Sequence, residues 1–273
     1  DNLLTFAELS LGRASQGERT ATLFEPKFAE ELSRRRQLDL DMRLALSTKQ
    51  FRLAMQPQVK LKTGKLVGVE ALIRWTHPVL GDIPPLELIG LAEETGFIVE
   101  LGGWVLEEAC SQSASWNWRG RVAVNLSPVQ LEMGDFPAEV RRVLKKTGLH
   151  PTRLEVEVTE TVAARESARI RQSLETMRKM GLTVAIDDFG TGYSSLSYLN
   201  QLPFDVLKID RAFVTAVHAD PDRLAVVEAM WRVVLADGVR DDHEDALLRL
   251  VANLLGINDR DSAMARQRVD TPS

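Results

Sequence analysis

The feature that most constrains the fold of this chain is the polar character of every second position in several of its apolar segments. Between residues 51 and 210, short apolar segments at 52–58, 66–75, 121–126, 153–159, 182–188 and 205–210 alternate with helix-like stretches. Such alternation predicts a mostly parallel sheet with helices outside it. Strands of that kind are normally apolar on both faces, yet several segments carry polar residues at every second position, such as Glu155 and Glu157.

Two folds can explain a polar second face. An antiparallel sheet with one solvated face would show it, but the intervening helix-like stretches, for example 137–147 and 166–180, argue against that fold. In a closed barrel the second face points into the interior, and polar residues collect at the carboxyl ends of the strands as an active site. The sequence therefore favours an α/β fold of the (β/α) barrel type.

Polar residues late in these strands form a candidate metal site. They are Glu70, Asn125, Glu157, Asp187, Asp188 and Lys208. Carboxylate and amide oxygens suit Mg²⁺ or Mn²⁺, whereas zinc prefers a cluster of Cys and His. Adjacent carboxylates such as Asp187 and Asp188 repel one another unless a divalent cation compensates their charge. A carboxylate that bridges two metal ions about 3.5–4 Å apart suits phosphodiester cleavage, and a lysine could orient the attacking water.

Charge and cysteine content limit the ligands and the cellular compartment that the sequence favours. The 273 residues carry a formal net charge of -5, so there is no overall attraction for DNA or anionic lipid, and a phosphate ligand needs local arginine, lysine or metal. The single cysteine, Cys110, cannot form an intramolecular disulfide, and the N-terminal apolar run is too short for a signal peptide or membrane insertion. We expect a cytoplasmic protein.

Six motifs occur in an order that resembles a known family. They are QP at 56–57, VEALIRW at 69–75, VNLS at 124–127, EVTE at 157–160, DDFGTG at 187–192 and LKID at 207–210. Over about residues 51–214 the chain resembles the EAL family of cyclic di-GMP phosphodiesterases. The resemblance implies a TIM-like barrel with one antiparallel strand, and hydrolysis of cyclic di-GMP to linear pGpG.

The resemblance also implies metal ligands. Glu70, Asn125, Glu157 and Asp187 resemble the ligands of a first Mg²⁺ or Mn²⁺ ion, and Asp187 and Asp188 would reach a second. Glu70, Glu157 and Asp187 would thereby take part in catalysis.

Further roles follow from the same resemblance. Lys208 resembles the catalytic lysine beside the nucleophilic water. Gln56 and Arg74 resemble positions that bind substrate near the base and the phosphate, and Asp210 resembles a guanine-contacting position. Glu160 resembles the glutamate that supports the loop beginning at Asp188, a loop that couples metal occupancy to dimer contact. The implied partners are cyclic di-GMP, a second copy in a homodimer, and an upstream sensor or GGDEF-type domain.

The C-terminal part departs from the family pattern. A complete EAL barrel has two more strands after Lys208, the first ending in a glutamate that serves the metal site. Residues 233–239 imitate that strand with Asp237 in place of the glutamate, but the apolar residues of 224–235 follow helical spacing. Residues 225–269 instead resemble the end of the TerB-like helical family. We therefore expect an N-terminal linker and helix at 1–46, an incomplete barrel at 47–216, and a helical module at 222–269.

An incomplete barrel has two consequences. Its open side exposes backbone and apolar surface, so we expect the C-terminal helices to pack there or the chain to dimerise there. The function also has alternatives to an active phosphodiesterase. One is a receptor that binds cyclic di-GMP but hydrolyses it poorly, and another is a structural or regulatory fragment without a working site.

Overall fold

The computed structural model describes residues 26–60, 62–163, 167–189 and 203–210, together with residues 264 and 267. The expected C-terminal helical module therefore lies almost wholly outside the described residues, as does most of the loop after Asp188. The chain divides into two compact units. The first contains the described residues 26–54 and 72–105, and the second contains 55–71 and the described residues from 106 onward.

Seven strands form one sheet within the described ranges. They are β1 (Phe51–Lys60), β2 (Lys65–His77), β3 (Gly81–Ile83), β4 (Arg121–Asn125), β5 (Leu154–Thr159), β6 (Thr183–Phe189) and β7 (Val206–Ile209). The order is β1-β2-β4-β5-β6-β7, with β3 paired to β2. All pairs from β2 through β7 along this path are parallel. The predicted alternation of strands and helices is therefore confirmed.

The first three strands provide the antiparallel part of the sheet. β1 and β2 are hydrogen-bonded neighbours separated by only four residues, which is too short for a parallel crossover, so they form an antiparallel hairpin. β3 pairs antiparallel with the end of β2, where Trp75 lies opposite Ile83. β3 was not predicted from the sequence, because three residues are too few to show a period of two.

The helices begin and end at recognisable residues. They are α1 (Pro26–Ser47), α2 (Pro85–Glu94), α3 (Ile98–Ser115), α4 (Pro128–Met133), α5 (Phe136–Thr147), α6 (Glu160–Ala163) and α7 (Ala168–Lys179), with a 3₁₀ turn at Pro151–Arg153. In α5, the Asp135 side chain accepts a hydrogen bond from the Ala138 N–H, and Gly148 ends the helix with a φ of 71°. In the described ranges, no helix has both the length and the apolar character needed to cross a membrane.

Within the first unit, α1 is joined to its neighbours by polar contacts. Arg34 forms an ion pair with Glu87 of α2. His77, at the end of β2, lies with its Nε2 3.2 Å from the Asp41 carboxylate of α1. The other ring nitrogen of His77 accepts hydrogen bonds from the backbone N–H groups of the two turn residues 79 and 80. This histidine therefore organises a turn.

The register of the second unit sets the position of the site. On one face of β4, β5 and β6, valine and isoleucine residues such as Val124, Val156 and Ile186 are buried. On the other face, Asn125 lies opposite Glu157, and Thr159 lies opposite Asp187. Parallel pairing brings the carboxyl ends of these strands to one edge of the sheet, so their polar side chains converge there.

Candidate active site

Three carboxylates from three strands form the centre of the site. Glu70 lies on β2, Glu157 on β5 and Asp187 on β6. One oxygen from each residue lies within 4.8 Å of the other two. Three carboxylates this close repel one another when ionised, so the arrangement favours a proton on one of them or positive charge between them.

Lys208 of β7 supplies one positive charge. Its Nζ contacts the Glu157 carboxylate and lies 3.7 Å from Glu70 Oε2 and 3.9 Å from Asp187 Oδ2. Burial by itself lowers the pKa of Lys208, but the negative charges of Glu157, Asp187 and Glu70 outweigh that effect and raise it. Lys208 is therefore charged at neutral pH, and three acids share this one cation.

Glu157 is the most buried of the three acids. Its side chain is 0% exposed, and its Oε2 has no hydrogen-bond partner in the part of the chain that the structure describes. Burial is the main cause that raises the pKa of Glu157 to about 8; Lys208 opposes this shift, and Glu70 and Asp187 add to it. A buried carboxylate oxygen without a partner is a group that a cation would satisfy.

Asn125 is fixed beside the acids by the start of α4. Ser127 caps that helix in a reciprocal capping box with Gln130, so the chain turns directly after the end of β4. The Leu126 N–H donates to the Glu157 carbonyl oxygen at 2.8 Å, which holds β4 against β5 at this level. The Asn125 side-chain amide donates to Glu70 Oε1 at 2.8 Å, and its own oxygen remains a metal-type donor.

Asp188 follows Asp187 in an unusual backbone conformation. Its φ is 56°, in the left-handed region that favours glycine, and its N–H donates to Asp187 Oδ1 at 3.0 Å. Desolvation raises the pKa of Asp188, and the charges of Asp187, Asp210 and Glu70 raise it further. Asp210 is tied to the same strand end, because its N–H donates to the Phe189 carbonyl oxygen at 3.2 Å.

The structure leaves the predicted roles of three site residues untested. Gln56 is exposed on β1. Arg74 belongs to the first unit, where its Nη1 donates to the Ile73 carbonyl oxygen at 2.8 Å. Glu160 is buried at the start of α6, while most of the loop that it was predicted to support lies outside the described residues. Their roles therefore stay predictions.

Sequence reasoning missed one charged pair beneath the acids. Glu155 is 3% exposed, and its Oε2 lies 3.1 Å from Nη1 of Arg121. The signal was present, because Glu155 shares the polar face of its strand with Glu157. The pair itself could not be found from one strand, since Arg121 lies on the neighbouring strand, β4.

Comparison with known proteins gives this arrangement a context. The family model described as "EAL domain" matches residues 39–240. The chain is 40% identical over 254 residues to the bifunctional diguanylate cyclase/cyclic di-GMP phosphodiesterase MucR of Pseudomonas aeruginosa, covering 88% of this chain and 37% of that protein. It is 36% identical over 261 residues to the cyclic di-GMP phosphodiesterase NbdA of the same species, covering 91% of this chain and 33% of that one.

A solved structure supports the same comparison. The MucR phosphodiesterase in complex with c-di-GMP matches with a TM-score of 0.67 and 39% identity, covering 81% of this chain and 93% of that structure. The predicted fold class, a TIM-like barrel of the EAL type, is confirmed by this similarity. The chain spans about a third of the length of the curated relatives that it matches.

Proposed function

This chain belongs to the EAL domain family, and from that premise we propose that it is a metal-dependent phosphodiesterase that hydrolyses cyclic di-GMP to linear pGpG. One observation carries the proposal: Glu70, Glu157 and Asp187, each from a different strand, converge around Lys208 of a fourth strand. MucR and NbdA, which carry this activity in their names, support the choice of substrate.

The residues present fit a divalent cation. The donors are oxygen atoms, one carboxylate oxygen of Glu157 is buried without a partner among the described residues, and a single lysine serves three acids. We assign Glu70, Asn125, Glu157 and Asp187 to a first ion, and Asp187 with Asp188 to a second. Both Mg²⁺ and Mn²⁺ suit such donors. A bound ion would supply Lewis acidity and lower the pKa of a coordinated water.

The protein's own groups would perform the remaining tasks. Lys208, with its pKa raised, stays protonated and would hold the attacking water or the negative charge that develops on the phosphate. We assign Arg74 to the substrate phosphate, Gln56 to a base and Asp210 to a guanine. Glu160 would support the loop after Asp188. These four assignments rest on the matching motifs.

Wider assignments follow the same premise. We propose a cytoplasmic homodimer in which an upstream sensor or GGDEF-type domain controls this domain. MucR, a bifunctional diguanylate cyclase/cyclic di-GMP phosphodiesterase, supports the second partner. We also propose an incomplete barrel at 47–216 and a TerB-like helical module at 222–269, although the EAL match extends to residue 240.

The test is chromatographic detection of pGpG after incubation of the chain with cyclic di-GMP and Mn²⁺ or Mg²⁺. The informative variant is Glu70→Gln, which keeps the size of the side chain and removes its charge. The matched control is Glu139→Gln, a change of the same kind at a surface acid that pairs with Arg142. We expect turnover in the parent and the control, and its loss in Glu70→Gln.

Two other outcomes would lead to different conclusions. Cyclic di-GMP binding without turnover in the parent chain would make the domain a receptor. Neither binding nor turnover would refute the proposal and favour a structural or regulatory fragment.

A further inference from the structure

The three central strands of the second unit carry two polar layers. The upper layer contains Asn125, Glu157 and Asp187. The lower layer contains Arg121, four residues before Asn125 on β4; Glu155, two residues before Glu157 on β5; and Thr183, four residues before Asp187 on β6. Because side chains alternate along a strand, each lower residue shares a face with the upper residue of its strand.

The lower layer is connected by direct contacts. Arg121 Nη1 lies 3.1 Å from Glu155 Oε2, and the same nitrogen donates to Thr183 Oγ1 at 3.3 Å. Glu155 and Thr183 are also direct neighbours in the pairing of β5 with β6. One guanidinium therefore links β4, β5 and β6, three of the four strands that carry the proposed metal ligands.

Glu155 also interacts with the upper layer. Its carboxyl group is buried and lies within electrostatic range of Lys208, Glu157 and Glu70. A buried carboxylate requires a counter-charge. Besides Arg121, Lys208 is a cation that acts on Glu155, and Lys208 already serves Glu157, Glu70 and Asp187.

We propose that Arg121 and Glu155 form a positioning pair in which Arg121 neutralises Glu155 and holds it in the lower layer, so that Lys208 and Glu157 keep the geometry of the metal site. The inference rests on the proposed function, because it concerns the same carboxylates. Arg121 and Glu155 act through Glu157 and Lys208, and neither is a catalytic residue.

If Arg121 acts by neutralising Glu155, substitution of both residues should do less harm than substitution of Arg121 alone. Arg121→Gln leaves the buried Glu155 without its partner, so Lys208 is drawn from Glu157 and Mn²⁺ binds about tenfold or more weakly. Arg121→Gln combined with Glu155→Gln removes both charges, so the double variant binds Mn²⁺ within about threefold of the parent. Arg121→Lys keeps the charge and binds Mn²⁺ more tightly than Arg121→Gln.

The experiment measures the Mn²⁺ dissociation constant of the full chain by calorimetry and by electron paramagnetic resonance of free Mn²⁺. Thermal unfolding in EDTA is recorded for each variant. The control is Arg142→Gln, which breaks a surface ion pair of the same unit and leaves Mn²⁺ binding unchanged. If Arg121→Gln does not fold, the double variant and Arg121→Lys decide the question.

Several results would overturn the inference. Equal Mn²⁺ affinity in the parent and Arg121→Gln, even with a lower unfolding temperature, would show a purely structural pair. A double variant as weak as Arg121→Gln, or Arg121→Lys no tighter than it, would show that charge neutralisation is not the reason. Absence of Mn²⁺ binding in the parent chain would refute the proposed metal site as well, which separates that failure from the others.

Discussion

Replacing Glu157 with glutamine tests the central electrostatic feature of the site. The amide has nearly the size of the carboxyl group but does not titrate. The charged groups that face Glu157 are Lys208 from β7, Glu70 from β2, Asp187 from β6 and Glu155 from its own strand. All of them remain in the variant, so any difference in pH dependence reports on the Glu157 proton.

The size of the effect follows from the shift in pKa. The pKa of Glu157 rises from 4.5 to about 8 in the folded chain, so the folded state binds more protons than the unfolded state between these values. Without metal, its contribution to the free energy of unfolding therefore falls as pH rises from about 4.5 to about 8, with a limiting slope of roughly 1.4 kcal/mol per pH unit. Between pH 6 and pH 9, the parent loses about 2–3 kcal/mol relative to Glu157→Gln, which is several degrees in Tm.

Bound metal should reverse the relative stability of the parent and Glu157→Gln at high pH. A divalent cation must displace the Glu157 proton, so its affinity for the parent rises with pH up to about 8. Mn²⁺ should therefore raise the Tm of the parent more at pH 9 than at pH 6, and it should raise the Tm of Glu157→Gln little at either pH.

The assay is thermal unfolding followed by circular dichroism at the two pH values, first in EDTA and then in Mn²⁺. Glu139→Gln is the control, because the Arg142 hydrogen bond lowers the pKa of Glu139, which stays ionised throughout this range. Parallel pH dependence of the parent and Glu157→Gln in EDTA would refute the reasoning, since it would mean that Glu157 carries no proton to lose.

Three further predictions concern other residues of the second unit. Lys208→Met removes the cation shared by three acids, so pGpG release should fall at least about a hundredfold, whereas Lys179→Met on the surface should keep it. Asp188→Gly should be more stable in EDTA than Asp188→Ala by about 1 kcal/mol, because only glycine adopts the φ of 56° without strain; equal Tm values would contradict this. Gly68→Ala places a methyl group 2.4 Å from Gln58 Oε1, the end of a flexible side chain that can move aside, so urea unfolding should show a loss of stability below about 1 kcal/mol, and that loss should vanish in the background of Gln58→Ala.

The strands were predictable because alternation of apolar and polar residues is a local signal. The predicted segment 121–126 became β4 at Arg121–Asn125, and 182–188 became β6 at Thr183–Phe189. The convergence of Glu70, Glu157 and Asp187 was predictable as well, because parallel strands between helices place their carboxyl ends at one edge. Element order alone was enough for this part of the site.

The contacts that sequence reasoning missed depend on register. The ion pair of Arg121 with Glu155 requires β4 and β5 to be neighbours with Ala123 opposite Glu155. The hydrogen bond from Asn125 to Glu70 requires a matching register between β2 and β4. No pattern within a single strand contains either fact. The left-handed φ of Asp188 was also hidden, because aspartate gives a weaker signal for that conformation than glycine.

The two polar layers make the site more tolerant of substitution than of insertion or deletion. A single replacement in β5 changes one side chain, but a one-residue deletion between Glu155 and Glu157 would turn the rest of the strand over and send Val158 toward the polar face. Insertions and deletions that preserve function should therefore occur in the connections, such as the segment between α5 and β5. The spacing of residues within β4, β5 and β6 should stay constant. A library of single-codon deletions across residues 121–189 would show this as three short intolerant windows.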